Sequence, residues 1–413
     1  MNPTFNLTSS SRKRLLICSP GVPHKAQGAS TVLFYHYINY LKEMNYDILN
    51  VLILDPSNYS EKSLAEYRNH MESGGRFEII PFKKDHFLKI HRYHKWRFDG
   101  LPEDLLRKIN DFKPDLMLCF DILSAGIITR HCQCPKVVWL GDLNYKTILY
   151  HSYYAFKESY ENIIYIPFSW LLCQFWKSSY TEILSHFDSV IVSSKSSESA
   201  LMKLGVRSIY LPYPWPVKRD EKINNGHYPT KTPSFLFFGN LVGLGSRSAL
   251  HFLFKKIYPR VIKLWGKGGV QIIICGSHDL PQWAKELISK TEEIKCLGYV
   301  EDINSLMLSC HAVIIPIDVP IGNRSRIVTA IASGALVIAH QNTALGNPNL
   351  VNGVTCFLAK DADKFVEYMR IAYENADVKK NITEKAIQTY EETFKPNTAT
   401  HMLANELLRV LEK

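Results

Sequence analysis

The 413-residue sequence contains no apolar run long enough to cross a bilayer. Its longest uncharged stretch, residues 163–176, is shorter than the roughly 20 residues that a spanning helix needs, and Pro167 lies within it. Residues 1–11 are polar and the apolar run that follows is only a strand long, so no secretory signal is visible. We therefore expect a cytoplasmic protein in which residues 163–176 are either a buried segment or an interfacial one.

A regular cysteine pattern is also missing. The nine cysteines are odd in number and irregularly spaced, which argues against a disulfide framework. Cys132 and Cys134 have no second pair at the spacing of a zinc site, so we interpret them as ordinary thiols and predict no metal site. This cysteine usage fits a reducing compartment.

What is present is an ordinary globular composition with a basic bias. Hydrophobic residues make up 46% and charged residues 21% of the chain, enough to bury full cores in about two or three domains. The formal net charge of +10 favours anionic partners such as nucleotides, acidic glycans or a lipid surface. The alternative is a basic surface that is merely solvated.

One stretch in the second half has the pattern of strand, loop, short helix and strand. Two short apolar runs, 312–316 and 336–339, flank an amphipathic segment at about 325–333, which indicates a βαβ crossover. In a parallel sheet, ligands bind where such a loop meets the helix start, because the free N–H groups and the positive helix end face them. Arg324 and Arg326 add two planar, bidentate donors to this loop. We therefore predict a pyrophosphate site there.

Short apolar runs alternate with amphipathic segments along the rest of the chain. Helices are predicted from about Ser30 to Met44, with Ser30 or Thr31 as the cap, and from about Arg247 to Leu264. This alternation is typical of parallel α/β domains. The predicted strands are 14–18, 48–54, 77–81, 116–120, 137–140, 190–193, 235–240, 270–276 and 294–300.

The loop and helix at 321–339 also carry a motif. The pattern G-x-x-x-(K/R)-I-x-E-A-x-A-x-G-x-P-V-V-A is matched here by Gly322, Arg326, Ile327, Ala330, Ala332, Gly334, Val337 and Ala339. By these residues the chain resembles the nucleotide-sugar half of the GT-B glycosyltransferases, closest to the retaining enzymes of family 4, the group 1 transferases. That family places one Glu at the start of the loop and another eight positions later, for the donor sugar and the ribose. This chain has Ile321 and Thr329 there, so Thr329 can still bind a hydroxyl whereas Ile321 cannot.

The resemblance implies a two-domain architecture. We expect two Rossmann-like parallel-sheet domains facing each other across a cleft, with residues 12–216 forming the acceptor domain and residues 231–395 the donor domain. The prolines at 212–216 and the polar run after them read as a linker at 217–230. The last helix, 396–413, is expected to return to the first domain.

The donor side of the site is implied by the same resemblance. The strand and glycine loop that begin at Phe235 resemble the entry to the donor domain, where relatives carry an Arg after the first glycine and a Lys further along. Asn240 replaces the former, and Arg247 is the nearest positive substitute for the latter. Gly243 and Gly245 can turn backbone N–H groups inward as an anion nest. The predicted donor-binding residues are Gly239, Asn240, Gly245, Arg247, Gly322, Asn323, Arg324, Arg326 and Thr329.

The acceptor side is predicted from the first half of the chain. The run ending in Gly141 and Asp142 resembles a family strand that commonly ends in His-Asp at the cleft, and only the Asp remains here. Asp142 would hold an acceptor hydroxyl or stabilise positive charge on the sugar; helix capping is the alternative. Gly28 would let the backbone approach the acceptor or donor phosphate, with a plain turn as the alternative. Asp142 and Arg326 are the predicted catalytic residues.

Residues 82–98 interleave basic and aromatic side chains. Such a mixture suits an anionic membrane surface or an acidic or lipid-linked acceptor. No nucleic-acid module accompanies it, so we do not predict nucleic acid as a partner. A surface helix or loop whose aromatics pack into the core is the alternative.

These features predict the transfer of a sugar from a nucleotide diphosphate, a UDP sugar rather than a GDP sugar, to a glycan or glycolipid acceptor. The reaction is expected to need no metal or other cofactor and, by the resemblance, to retain anomeric configuration. Cell-surface polysaccharide or glycoconjugate synthesis at the inner face of the membrane is the expected setting. The alternatives are a non-catalytic GT-B subunit that binds glycan or supports a partner transferase, and an epimerase. The epimerase is disfavoured because no paired carboxylates mark a site in the sequence.

Overall fold

The computed structural model of the chain describes residues 12–25, 28–55, 59–72, 75–81, 101–217, 231–276, 280–322 and 324–412. Asn323, residues 82–98 and the predicted linker other than Val217 lie outside this part of the chain. Within it, no helix is both long enough and apolar enough to cross a membrane.

The first half of the chain forms a parallel sheet of seven strands. The strands are β1 (Arg14–Pro20), β2 (Asp47–Leu54), β3 (Gly75–Pro81), β4 (Leu116–Phe120), β5 (Lys136–Leu140), β6 (Ser189–Val192) and β7 (Ile209–Tyr210). Their order across the sheet is β3-β2-β1-β4-β5-β6-β7. Every residue of β4 and β6 is buried, as expected for strands that helices cover on both faces. The carboxyl ends of β4 and β5 are therefore neighbours at one edge of the sheet.

Seven described α-helices accompany this sheet. They are α1 (Ala29–Glu43), α2 (Glu61–Glu72), α3 (Glu103–Phe112), α4 (Asp121–Ile128), α5 (Asn144–Glu158), α6 (Tyr165–Leu184) and α7 (Lys195–Met202). Short 3₁₀ turns lie at Thr129–His131 and Tyr160–Ile164. The second of these turns joins α5 to α6.

The second half forms a parallel sheet of six strands. They are β8 (Ser234–Phe238), β9 (Gln271–Cys275), β10 (Ile294–Gly298), β11 (Ala312–Ile315), β12 (Val337–His340) and β13 (Phe357–Ala359), in the order β10-β9-β8-β11-β12-β13. The accompanying helices are α8 (Leu244–Phe252), α9 (Tyr258–Trp265), α10 (Gln282–Ile288), α11 (Ile303–Ser309), α12 (Ser325–Ala332), α13 (Ala362–Glu374) and α14 (Ala376–Thr393). A 3₁₀ turn follows β12 at Gln341–Thr343.

The last helix, α15 (Pro396–Leu411), packs against the first domain. The ring nitrogen Nδ1 of His401 lies 3.0 Å from the hydroxyl of Tyr40 on α1, and the hydroxyl of Ser189 donates to the carboxylate of Glu406. The predicted architecture of two Rossmann-like sheets with a returning C-terminal helix is thereby confirmed.

Two helix starts differ from the sequence prediction. The N-cap of α1 is Gly28, with φ of 76°, rather than Ser30 or Thr31. The helix expected from Arg247 begins at Leu244 and widens into a π-turn at Leu253–Ile257 before α9. Pro259 lies at the start of α9, and because proline has no N–H to donate, the hydrogen-bond ladder shifts register there.

Candidate active site

Arg326, near the start of α12, lies beneath the glycine loop that follows β8. Its Nη2 atom donates to the carbonyl oxygen of Asn240 at 2.9 Å and to the hydroxyl of Ser246 at 2.6 Å. Its guanidinium carbon lies 5.4 Å from the ring centroid of Phe237. A Cβ atom at Gly239, whose φ is 129°, would clash with the Nε atom of Arg326. Only glycine at position 239 therefore allows this arginine to approach the loop.

The charge of Arg326 is incompletely compensated. Burial, and then the charge of Arg324, lower the pKa of Arg326 to about 10, so the side chain stays cationic at neutral pH. Its Nη1 atom is buried and has no hydrogen-bond partner among the residues that the structure describes. A buried cationic N–H group of this kind favours an anion such as a phosphate oxygen as its partner.

Arg324, the residue before α12, faces the first domain. Its Nη2 atom donates to the carbonyl oxygen of Val319 at 2.8 Å. Burial lowers the pKa of Arg324, whereas Asp142 and Tyr213 of the first domain act in the opposite direction. The two arginines thus place positive charge at the edge of the second sheet that meets the first domain.

Asp142 reaches this same loop from the other side. Gly322 has φ of 77°, and a Cβ atom there would lie 2.5 Å from both carboxylate oxygens of Asp142. Asp142 follows β5 and is exposed. Two predicted site residues from opposite domains, Asp142 and Gly322, are therefore in direct contact across the domain boundary.

A second carboxylate, Asp121, lies beside Asp142 and was not predicted. It follows β4 directly, at the edge where the neighbouring strand β5 leads to Asp142. Its φ of 73° is rare for a non-glycine residue, and strained residues of this kind cluster at functional sites. Burial raises the pKa of Asp121, the backbone N–H groups of Ile122 and Leu123 oppose this, and the charge of Asp142 raises it further. A carboxylate placed directly after a buried strand was the available sequence signal.

Thr329 contacts the end of the first domain. Its hydroxyl accepts a hydrogen bond from the indole Nε1 of Trp215 at 2.8 Å and donates to the carbonyl oxygen of Ser325 at 3.0 Å. Ile321, which occupies the other Glu position, is buried, with 5% exposure. At the two positions where the family carries Glu, this protein therefore has a buried apolar side chain and a hydroxyl that is hydrogen-bonded within the protein.

The glycine loop after β8 closes as a tight turn. The side-chain oxygen of Asn240 accepts from the backbone N–H of Val242 at 3.0 Å, and Gly243 is the N-cap of α8. A Cβ atom at Gly245 would lie 3.3 Å from the Cδ1 atom of Ile317, which follows β11. The start of α8 thus lies close to the loop that leads to Arg324 and Arg326.

Arg247 forms an ion pair with the first domain. Its Nε atom donates to Glu158 Oε1 at 2.9 Å, and its Nη2 atom contacts Oε2 of the same carboxylate. The Nε2 atom of His251 lies 3.6 Å from Glu158 Oε1. The charge of Arg247 is thereby compensated at the domain interface in this structure.

A second contact between the domains involves Asp318, after β11. Its carboxylate accepts from the hydroxyl of Tyr154 on α5 at 2.6 Å and from the hydroxyl of Ser248 on α8 at 2.7 Å. Its backbone carbonyl accepts from the side chain of Asn342 at 2.6 Å. Neither Tyr154 nor Asp318 belongs to a recognisable motif, so the sequence did not identify them.

Gly28 lies at the start of α1, at the same edge of the first sheet as Asp142. A Cβ atom at this position would clash with the hydroxyl of Thr31 in the first turn of the helix. Gly28 is thus required by the start of the helix itself, and its approach to an acceptor or donor phosphate stays a prediction. Among the described residues, no three His, Cys, Asp or Glu side chains form a cluster that could hold a metal ion.

Comparison with known proteins agrees with this architecture. Residues 232–375 match the family model described as Glycosyl transferases group 1. No curated protein sequence matches the chain.

Several solved structures share the fold. A glycosyltransferase from Rickettsia africae ESF-5 has a TM-score of 0.67 at 14% identity, covering 98% of this chain and 100% of that one. Anabaena HepE in complex with UDP and glucose has a TM-score of 0.64 at 15% identity, covering 96% and 100%. A TarM mutant from S. aureus in complex with fondaparinux, alpha-GlcNAc-glycerol and UDP has a TM-score of 0.63 at 9% identity, covering 97% and 100%. The chain therefore has the GT-B fold, as predicted.

Proposed function

We propose that this protein is a glycosyltransferase that moves a sugar from a UDP sugar to a glycan or lipid-linked acceptor. The observation that carries the proposal is the convergence of Arg326, Arg324 and the start of α12 on the loop that Asp142 contacts from the first domain. The match of residues 232–375 to the group 1 transferases supports it. So does HepE, a structure of the same fold that binds UDP and UDP-glucose.

The donor diphosphate would lie against Arg326. Negative charge grows on the leaving diphosphate as the bond to the sugar breaks, and donors fixed in advance around it stabilise that state. The buried Nη1 atom of Arg326 supplies one such donor. The first N–H groups of α12 and its positive helix end add to it, with a macrodipole equivalent to roughly half a charge. In this proposal these groups neutralise the leaving diphosphate without a metal ion.

The acceptor would meet the sugar beside Asp142. The carboxylate is exposed and touches the donor loop at Gly322, so it can accept the proton of an acceptor hydroxyl or stabilise positive charge on the sugar ring. Retention of anomeric configuration is part of the proposal because the group 1 match covers the donor half. The anomeric signal of the product in NMR tests that part directly.

We place this activity in cell-surface polysaccharide or glycoconjugate synthesis, with the protein at the inner face of a membrane. The net charge of +10 supports attraction to anionic lipid. The mixture of basic and aromatic residues in the sequence at 82–98 also supports association with a membrane surface.

A non-catalytic GT-B subunit is the competing function, and one observation favours it. Ile321 and Thr329 replace the two Glu residues of the family, and the Thr329 hydroxyl is already bound by Trp215 and Ser325. A protein that had lost donor chemistry would show such substitutions.

A thermal-shift panel of UDP, GDP and CMP sugars separates the two functions. A ligand that binds only the folded state raises the unfolding temperature, so a transferase should be stabilised by its donor. We expect a UDP sugar to give the largest shift and to be consumed in the presence of acceptor. Absence of a shift with every nucleotide sugar would favour the subunit.

A further inference from the structure

Helices α5 and α6 form an antiparallel hairpin with an apolar tip. The hydroxyls of Ser152 and Ser169 are hydrogen-bonded between the two helices, and the Cys173 thiol donates to the carbonyl oxygen of Tyr145. The tip exposes six large apolar side chains with exposed fractions from 54% to 82%. We call this set the hairpin surface: Tyr160, Ile163, Ile164, Tyr165, Phe168 and Trp170.

The hairpin surface is unusual for a surface in contact with water. Single exposed apolar residues are ordinary, but contiguous apolar patches mark interaction sites. Leu149 and Tyr153, on α5, are exposed as well and extend the patch toward the base of the hairpin. The stretch at 163–176, which the sequence left as buried or interfacial, is therefore exposed over its first half.

The composition of the surface favours a lipid bilayer as its occupant. Tyr and Trp, with apolar rings and polar tips, are the residues enriched where a bilayer meets water. Lys157 lies beside them, its Nζ atom 4.3 Å from the ring centroid of Tyr153. Two of the three carboxylates on the hairpin, Glu158 and Glu182, are paired with arginines of other elements. With those two carboxylates paired, three lysines (Lys146, Lys157 and Lys177) and one carboxylate, Glu161, remain on the hairpin. This remaining positive balance and the apolar area complement an anionic bilayer.

A basic cavity of about 790 Å³ lies at the base of the same hairpin. We call it the lysine pocket, because Lys146, Lys177, Lys195 and Lys203 line it and none of its described lining residues is a carboxylate. The Nζ atom of Lys146 donates to the carbonyl oxygen of Ser196 at 3.1 Å. Burial and the charge of Lys203 lower the pKa of Lys146, with Asp142 acting in the opposite direction. Lys195 is ion-paired with Glu198. An anion bound among Lys146, Lys177 and Lys203 would relieve their mutual repulsion.

The lysine pocket connects the hairpin surface to the candidate active site. Trp170 and Lys177 are seven residues apart on α6, so they share one side of that helix, and Lys177 lies roughly 10 Å along the axis from Trp170. Pro320 also lines the pocket, two residues before Gly322, which contacts Asp142. A phosphate in the pocket would thus lie between the bilayer and the reacting groups.

We propose that the hairpin surface docks on an anionic lipid bilayer and that the lysine pocket binds the phosphate group of an acceptor carried on a membrane lipid. The docking half does not depend on the proposed function. The acceptor half rests on the proposed function, whose substrate class it specifies.

Vesicle co-sedimentation of the full-length chain tests the docking half. Wild-type protein should bind phosphatidylcholine vesicles that contain phosphatidylglycerol, and the double variant Ile164→Ser/Phe168→Ser should lose about tenfold or more in affinity. Tyr299→Ser is the matched control, because Tyr299 is 77% exposed but lies in the second domain; it should bind as wild type does. Unchanged binding of the double variant overturns docking. Loss of a dimer in sedimentation, without loss of vesicle binding, assigns the surface to a second copy instead.

Vesicles of matched surface charge test the phosphate half. Wild-type protein should prefer phosphatidylcholine vesicles that carry phosphatidic acid over those that carry oleate. Lys177→Gln/Lys203→Gln should abolish that preference, weakening binding to the phosphate vesicles by about fivefold per lysine. The control Lys380→Gln/Lys385→Gln changes exposed lysines on α14 and should keep it. Equal binding of wild-type protein to both vesicles overturns the phosphate site.

The nucleotide-sugar thermal shift, measured on the same variants, separates this inference from the proposed function. If the hairpin and pocket variants keep the shift and lose vesicle binding, both stand. If wild-type protein binds vesicles but no nucleotide sugar, the proposed function fails and only docking survives.

Discussion

Gly322 and Asp142, from different domains, lie so close that a Cβ atom at position 322 would be 2.5 Å from both carboxylate oxygens of Asp142. Real Cβ atoms do not approach oxygen so closely, so any side chain at 322 must displace the carboxylate or the loop. The backbone of Gly322 also has a φ of 77°, a conformation that other residues adopt only under strain. Position 322 therefore couples the donor loop to the predicted catalytic carboxylate.

The variant Gly322→Ala should lose more activity than stability. Strain at positive φ costs about 1–3 kcal/mol. The clash also displaces Asp142, the proposed catalytic group, so we expect the rate to fall about a hundredfold. Gly353→Ala is the control, because Gly353 has φ of 72° with no atom within 4 Å of the added Cβ. Urea unfolding and the rate of UDP-sugar-dependent transfer measure the two effects. Equal losses of activity in both variants would show that backbone strain, and not the Asp142 contact, matters.

Arg326→Ala should abolish the thermal shift given by a UDP sugar, and Arg326→Lys should restore only part of it. Lysine keeps the charge but cannot hold Asn240 and Ser246 and present the Nη1 donor as well, so we expect about a tenfold to hundredfold loss of affinity from a lost charge-assisted hydrogen bond. Isothermal titration with UDP measures this loss. Because Arg326 also holds Asn240 and Ser246, circular dichroism of each variant must first show a folded protein. Undiminished UDP affinity in folded Arg326→Ala would move the donor site elsewhere.

Asp121→Asn should change the pH dependence of stability. The folded-state pKa of Asp121 is raised, chiefly by burial, so folding favours its protonated form. Its contribution to the free energy of unfolding is therefore full below the ordinary Asp pKa of about 3.9 and is lost as pH rises through the raised value. Asparagine cannot ionise and tolerates positive φ, so the variant should gain stability relative to wild type as pH rises through that window. Urea unfolding over acidic to neutral pH measures the difference, with Asp377→Asn, an exposed carboxylate on α14, as the control.

The fold was predictable from the sequence because its strands are short, fully apolar runs that amphipathic helices separate. Strand positions such as 116–120 required no tertiary information, since strands buried on both faces must be apolar throughout. Helix starts were less predictable: Gly28 caps α1 through its backbone conformation, without a side-chain hydrogen bond that composition could reveal. Local patterning thus specifies the elements better than their ends.

The candidate site was only partly predictable. The glycines and arginines of the donor loop belong to a local motif. Gly239, Gly322, Arg324 and Arg326 lie at the edge of the second sheet that meets the first domain. Asp121 and Asp142 lie in separate βα units, and they become neighbours only because β4 and β5 pair in the sheet. The hydrogen bond between Trp215 and Thr329 likewise joins residues far apart in the chain. Such pairings depend on strand order and domain closure, which single-sequence patterns do not encode.

The ion pair between Arg247 and Glu158 offers a direct test of what Arg247 does. If the pair serves the domain interface, Arg247→Gln and Glu158→Gln should each lower the free energy of unfolding by about 1–3 kcal/mol, and the double variant should lose less than their sum. UDP affinity would then be nearly the same in both single variants. If Arg247 instead grips the diphosphate, as the sequence predicted, Arg247→Gln alone should weaken UDP binding by about tenfold or more, because only it removes a charge-assisted contact to the ligand. Urea unfolding and UDP titration of the three variants distinguish the two roles, since Glu158→Gln breaks the same ion pair while leaving the arginine in place.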